Sequence, residues 1–234
     1  LIDFLFGYYI QNKTEQEEFV SILQSTQFIL DDNASLCIPS ELFFPSTYKE
    51  QNELAEDAKL LNQAVYDLIE SNNAIIDWLS KLGVESLSDV TFIKNVICKS
   101  GYVTKDNSIE VVRYLFEINK NINIFEEIGD YYFSNLNFLT KNNTLTEANN
   151  LYLGSFYKPD VDIEKVYDGD IYVTEDYCLN EDTTEWNLFF KKMGVHSSLV
   201  ISQVRLKDTK NYSLLSELKS KFEKEYNVGS WGTH

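Results

Sequence analysis

The sequence predicts an α+β fold made of two tandem mixed units of about 110 residues each. Three observations lead to this prediction: apolar residues at helical spacing, short strand-like segments around turn residues, and matches between the two halves. We expect the first unit at 1–105, the second at 106–208, and a C-terminal helix in 209–234. Each unit should contain helices and a small β-hairpin or sheet.

The first half begins with a predicted helix at residues 2–10. A second helix should follow Thr14 and Glu17, which have the spacing of a capping box. Residues 28–30 and 36–38 flank Asp and Asn turn residues, so they predict a hairpin. An extended stretch between two prolines should come next.

The rest of the first half predicts further helices. Residues 49–59 are strongly charged and indicate a solvated helix or loop. Residues 73–82 carry apolar side chains at helical spacing and stop before Gly83, where a left-handed cap is expected. Ser88 opens another helix through Ile97.

The second half repeats this order. We expect helices at 108–119 and 122–133, a hairpin at 138–145, and a helix at 183–193 that ends before Gly194. A last amphipathic helix should span 213–226.

Three pairs of segments match between the halves at nearly constant offsets. Leu5-Phe6 matches Leu115-Phe116 at 110 residues, 42–48 matches 151–157 at 109, and 81–84 matches 192–195 at 111. Constant offsets along the chain indicate an internal duplication. The signature of the repeat is Tyr48, Trp78, Gly83, Val84, Tyr157, Trp186, Gly194 and Val195.

Packing explains this signature without a functional site. Each Trp supplies a large buried area and requires one partner for its indole N–H. Each Gly ends a helix in the left-handed conformation, and the Val after it turns back to the core. Tyr48 and Tyr157 should line the core or an interface.

Charge and cysteine content restrict the partners of the chain. The net charge is −17, which repels phosphate backbones, so we expect no direct nucleic-acid binding. A basic protein partner or simple solubility accounts for the acidity. Cys37, Cys98 and Cys178 are odd in number and far apart, which indicates reduced thiols and a cytoplasmic location. No apolar run approaches the roughly 20 residues that span a bilayer, so we expect no membrane anchor.

Residue patterns for catalysis, metals and cofactors are not found. The histidines are His196 and the terminal His234, and neither has a second His or Cys at ligand spacing. The loop at 160–170 begins like a calcium site, but Lys165 stands where Gly is needed and Ile171 where the last Glu belongs. A solvated acidic loop is the preferred interpretation, with weak calcium binding as the alternative. No glycine-rich phosphate loop is present.

The stretch 39–48 followed by 78–84 resembles the region downstream of the ATPase domain in large sacsin-like and NO VEIN-like proteins. The second copy, 151–157 followed by 186–195, resembles it too. In that family a histidine-kinase-type ATPase domain lies toward the N-terminus. Its motifs are absent here, because Asn52-Glu53 has the wrong order and Asp168-Gly169-Asp170 lacks the second Gly.

The resemblance implies a non-catalytic structural or protein-interaction module of a larger ATPase, in a chaperone-like or bacterial defence context. Because the chain begins with Leu1, we expect further sequence upstream. The expected partners are other domains of the parent chain and basic proteins. One alternative is a stand-alone acidic adaptor or inhibitor that binds a basic protein. Another is an enzyme whose carboxylate pair the sequence does not reveal.

Overall fold

The computed structural model describes residues 1–133, 136–178 and 182–200. The α-helices there are α1 (Ile2–Gln11), α2 (Gln16–Gln24), α3 (Tyr48–Gln51), α4 (Gln63–Ile69), α5 (Asn73–Leu82), α6 (Asp89–Phe92), α7 (Ser108–Asn121), α8 (Ile124–Ile128) and α9 (Thr183–Lys192). The strands are β1 (Ile29–Leu30), β2 (Leu36–Cys37), β3 (Phe43–Phe44), β4 (Glu85–Ser86), β5 (Asn137–Leu139) and β6 (Leu145–Glu147). This mixture of helices and strands confirms the predicted α+β class.

Two of the sheets are antiparallel hairpins. β1 pairs with β2, with Ile29 opposite Cys37, and β5 pairs with β6, with Phe138 opposite Thr146. The turns use residues with positive φ, because a tight reversal needs the left-handed conformation there: Ala34 and Asn143 both have φ of 59°. Both hairpins lie where the sequence predicts them.

The third sheet is a parallel pair, in which Phe43 of β3 lies opposite Glu85 of β4. Parallel strands require a long crossover, and here α3, α4 and α5 supply it. β3 also forms a parallel bridge from Phe43 to Leu60, so its backbone is held on both sides.

The buried faces of α5 and α9 follow the helical period. In α5 the buried residues are Ile75, Trp78, Leu79 and Leu82. In α9 and at its C-cap, the buried residues Trp186, Phe189, Phe190 and Met193 have the same i, i+3, i+4, i+7 spacing. Each helix therefore presents one apolar stripe to its own hydrophobic cluster.

The two hydrophobic clusters do not divide at the predicted boundary of 105/106. Phe92, Ile93 and Ile97 of α6 and its π-helical continuation are buried in the cluster of the second half. By contacts, Leu1–Leu199 is one compact unit. The division into units at 1–105 and 106–208 stays a prediction, and the helix expected in 209–234 lies outside the described residues.

Two local expectations are wrong. The side chain of Thr14 does not cap α2, which begins at Gln16 with Glu15 before it and no side-chain hydrogen bond at its start. The predicted helix at 122–133 is interrupted at Gly129, whose φ of 96° ends α8 before a separate 3-10 turn. A capping box does form at Ser88 and Thr91, where the sequence predicts a helix start.

Among the described helices, none combines the length and apolar character needed to cross a membrane.

Substitutions of three glycines should separate the cost of backbone strain from the cost of crowding. Gly194 has φ of 97°, and a Cβ there would be 4.0 Å from Ala148 Cβ, so Gly194→Ala should cost the left-handed penalty alone. That penalty is about 1–2 kcal/mol. Gly83→Ala should cost more, because φ is 116° and the new Cβ would be 3.2 Å from Ser40 Cβ. The measurement is the free energy of unfolding in urea.

Gly7→Ala is the matched control, since Gly7 lies in α1 and its added Cβ would meet none of the described atoms within 4 Å. This substitution should be neutral or stabilise by up to about 1 kcal/mol. Equal losses at all three positions would contradict the explanation.

Candidate functional site

The helix-to-strand junctions after α5 and α9 have the same backbone hydrogen bonds. Gly83 N donates to Ser80 O at 3.0 Å, and Val84 N to Leu79 O at 3.1 Å. The second half repeats this cap with Gly194 N to Lys191 O at 3.1 Å and Val195 N to Phe190 O at 3.0 Å. Both pairs satisfy carbonyls at a helix end, and both valines are buried.

The agreement extends through the neighbouring chain. Phe43 in the first half and Tyr152 in the second each form two parallel bridges. One goes to the residue pair after a helix end, at Glu85 and His196, and the other to a segment before that helix, at Leu60 and Tyr172. The positions are 109 residues apart. Four backbone hydrogen bonds of the first half each have a counterpart in the second. In the first half they are Phe43 N–Lys59 O, Leu61 N–Phe43 O, Glu85 N–Leu42 O and Asn62 N–Leu30 O. In the same order, the counterparts are Tyr152 N–Ile171 O, Val173 N–Tyr152 O, His196 N–Leu151 O and Thr174 N–Leu139 O.

The two tryptophans do not occupy equivalent helix positions. Trp78 lies five residues before Gly83, whereas Trp186 lies eight residues before Gly194. Each indole nevertheless packs on the matching phenylalanine of the first helix in its half. The ring centroids of Trp78 and Phe6 are 5.6 Å apart, and those of Trp186 and Phe116 are 3.8 Å apart. The surroundings are therefore similar, although the register of the indoles differs by three residues.

The indole of Trp78 also departs from expectation in its hydrogen bonding. Its Nε1 is buried and has no hydrogen-bond partner among the described atoms. Leaving such a group unsatisfied costs free energy, so the packing of the ring must offset it. The ring lies against Phe6 and Tyr9 of α1.

The matching tyrosines have different roles. Tyr157 is fully buried, and its hydroxyl donates to Thr174 O at 2.6 Å. Tyr48 is half-buried, and its hydroxyl lies at a hydrogen-bonded cluster instead. The expectation that Tyr157 belongs to the core agrees with its position.

The cluster around Tyr48 contains Asp89 and Tyr114, which come from distant parts of the chain. The hydroxyls of Tyr48 and Tyr114 are 2.7 Å apart, and both donate to Asp89 Oδ1, the second at 2.8 Å. Asn52 Nδ2 donates to the Tyr48 hydroxyl at 3.0 Å. Burial and the bond to Asp89 raise the pKa of Tyr48 to about 12, and burial also raises the pKa of Tyr114. The cluster joins the start of α6 to α3 and α7.

The acidic loop at 160–170 is tied to lysines and to backbone donors. Lys191 forms an ion pair with Asp160 at 2.8 Å and lowers the pKa of that carboxyl. Lys165 forms an ion pair with Asp162 at 3.0 Å and lowers the pKa of the Asp162 carboxyl. Lys141 bridges Glu164 and Glu175 at 2.6 and 2.7 Å. No group of three or more His, Cys, Asp or Glu residues suited to a metal ion occurs within the described part of the chain.

The remaining polar candidates are used locally. His196 Nε2 is 2.7 Å from Asn149 O, and its backbone continues the parallel bridge to Tyr152. A polar recess of about 210 Å³ lies between β3 and the π-helical segment. In this recess Lys59 forms an ion pair with Glu41 at 3.2 Å, so these two lining charges neutralise each other. Cys37 and Cys98 are free thiols.

Sequence reasoning did not find Asp89, Tyr114 or Lys141. In the sequence, Asp89 is recognisable only as part of a predicted helix start. The hydrogen-bond partners of Tyr48, Asp89 and Tyr114, lie 41 and 66 residues away from it in sequence. Contacts at such separations leave no periodicity in a single sequence.

Alkaline pH should destabilise the protein through Tyr48, Tyr102 and Tyr177, because burial raises the pKa of each hydroxyl to about 12. Their folded pKa values are raised above the unfolded value of about 10, so their contribution is fully present below pH 10 and disappears as pH rises through about 12. Tyr48→Phe should reduce the loss of unfolding free energy between these pH values. Absorbance of tyrosinate and urea unfolding as a function of pH measure the effect.

Tyr131→Phe is the control, because Tyr131 is 79% exposed. If the Tyr48 and Tyr131 variants have the same pH dependence as the unmodified chain, Tyr48 is not held in the cluster as described.

Comparisons with known proteins find no relative, since no protein-family model, curated protein or solved structure matches this chain. The resemblance to sacsin-like proteins therefore stays a prediction.

Proposed function

We propose that the chain is a non-catalytic protein-interaction module of a larger sacsin-like or NO VEIN-like ATPase. In this role it would join other domains of its parent chain and present surfaces to partner proteins in the cytoplasm. The proposal includes no cofactor and no direct contact with nucleic acid or membrane.

The observation that carries the proposal is the backbone frame that recurs about 110 residues apart. A repeated frame of caps and parallel bridges is typical of modules that stack and bind, because such units build extended surfaces. The signature residues contribute to packing: Gly83 and Gly194 cap helices, while Val84 and Val195 are buried.

The polar groups support the same interpretation. Asp89 accepts hydrogen bonds from two tyrosines, and Lys141 is shared by two glutamates. These contacts join separate elements of the fold. Burial, together with the hydrogen bond to Asp89, raises the pKa of Tyr48 without any need for a reaction. Structural networks commonly perturb pKa values in this way.

A stand-alone adaptor that binds a basic protein is the second candidate. The observation that favours it is the net charge of −17, which would steer a positively charged partner toward the chain. An adaptor of this kind should form a complex whose association slows strongly as salt rises. A module of a larger ATPase should instead occur as part of a longer native polypeptide.

The purified chain should neither bind nor hydrolyse ATP, because it lacks the acidic and asparagine pair and the glycine turn of the ATPase domain. Phosphate release and binding of a fluorescent ATP analogue test this, with a known ATPase as the positive control. The mass of the native polypeptide, detected with an antibody to this chain, tests whether the chain is part of a larger protein. ATP turnover that co-purifies with the chain, or a native polypeptide of 27.2 kDa, would contradict the proposal.

A further inference from the structure

The polar recess between β3 and the π-helical segment Ile93–Ile97 has a volume of about 210 Å³. One wall comes from the chain at β3 and from Asp57 and Lys59, which precede the bridge of β3 to Leu60. The other wall comes from residues 95–102. Pockets for drug-sized ligands measure roughly 300–1,000 Å³, so this recess suits a smaller molecule.

The second wall is shaped by a π-turn. Cys98 N donates to Ile93 O at 2.9 Å, so this hydrogen bond joins residues five apart rather than four. The wider turn brings Asn95 and Val96 to the same recess as Lys99 of the following turn. Single π-turns within helices are rare and occur frequently at functional sites. The construction of this wall therefore points to a role in binding.

The charged residues that line the recess comprise one ion pair and two groups of opposite charge. Glu41 and Lys59 form the ion pair, at 3.2 Å, so each already has a partner. Asp57 and Lys99 are exposed and line the same recess. Neither of their side chains has an ion pair or a hydrogen bond to another described residue. The recess therefore offers one carboxylate and one ammonium group to a ligand.

Uncharged residues add a hydroxyl and an apolar surface. The Ser100 side chain lines the recess without a hydrogen bond to any described residue, so its hydroxyl can donate to an anion. The apolar surface consists of Phe43, which is 3% exposed, and the half-buried Val96. A matching ligand carries an anionic group for Lys99, a cationic group for Asp57 and a small apolar part.

We infer that this recess binds a free aliphatic α-amino acid. The carboxylate of the ligand pairs with Lys99 and accepts a hydrogen bond from Ser100, while its ammonium group pairs with Asp57. The aliphatic side chain lies on Phe43 and Val96. A ligand with a single charge fits less well, because an anion would meet the like charge of Asp57 and a cation that of Lys99. This inference goes beyond the proposed function, since it does not require a larger parent protein.

L-leucine is the probe, and 4-methylpentanoate and isopentylamine are analogues that each lack one of its two charges. Amide NMR of the full chain should show saturable shifts at Asn95, Lys99 and Ser100 as L-leucine is added. L-leucine should bind about tenfold more tightly than either analogue, because each analogue leaves one charge of the recess without a partner.

Substitution of each charged residue should affect the ligands selectively. Lys99→Gln should weaken L-leucine and 4-methylpentanoate about tenfold and leave isopentylamine unchanged. Asp57→Asn should weaken L-leucine and isopentylamine about tenfold and leave 4-methylpentanoate unchanged. Lys13→Gln is the matched control, since Lys13 is exposed and does not line the recess. It should leave all three affinities unchanged.

The absence of saturable shifts at millimolar L-leucine would overturn the inference. Equal affinity for L-leucine and one of its analogues would also overturn it, because the recess would then recognise a single charge. Equal losses from Lys99→Gln and Lys13→Gln would place the binding outside the recess. None of these results would alter the ATP and native-mass tests, so failure of the recess is distinguishable from failure of the proposed function.

Discussion

The fold depends on two left-handed glycines, Gly83 and Gly194, which follow the helices α5 and α9. Gly83 and Gly194 let the chain reverse at once, so that the following valine is buried and the next residue pairs with an upstream segment. Any other residue there is strained, because a Cβ disfavours this conformation. The parallel pairs of Phe43 with Glu85 and of Tyr152 with His196 both start from this reversal.

The two halves share this frame but differ in what surrounds it. The second half has an aromatic core in which Trp186 stacks on Phe116. In the first half Trp78 is tilted against Phe6, and its indole N–H has no hydrogen-bond partner among the described atoms. The helix that starts at Ser88 and its π-helical continuation add their apolar residues to the cluster of the second half.

The sequence predicted those features that depend on local chemistry. The span of α5, both hairpin turns and both glycine caps follow from apolar spacing and turn residues. The two tryptophans differ in register by three residues, and Ile75 stands at the position that matches Trp186. Both positions are buried, because residues three apart share a helix face. The cluster of Tyr48, Tyr114 and Asp89 was not predicted, since it forms between segments that are distant in sequence.

If the hydrogen-bonded frame of the first half recurs in the second, native-state hydrogen exchange should find the same amides protected in both halves. We expect slow exchange in matching pairs: Phe43 with Tyr152, Leu61 with Val173, Val84 with Val195 and Glu85 with His196. These amides are hydrogen-bonded within the frame, whereas exposed amides between them should exchange quickly. Protection of these amides in one half, with rapid exchange at the matching positions of the other half, would contradict the account.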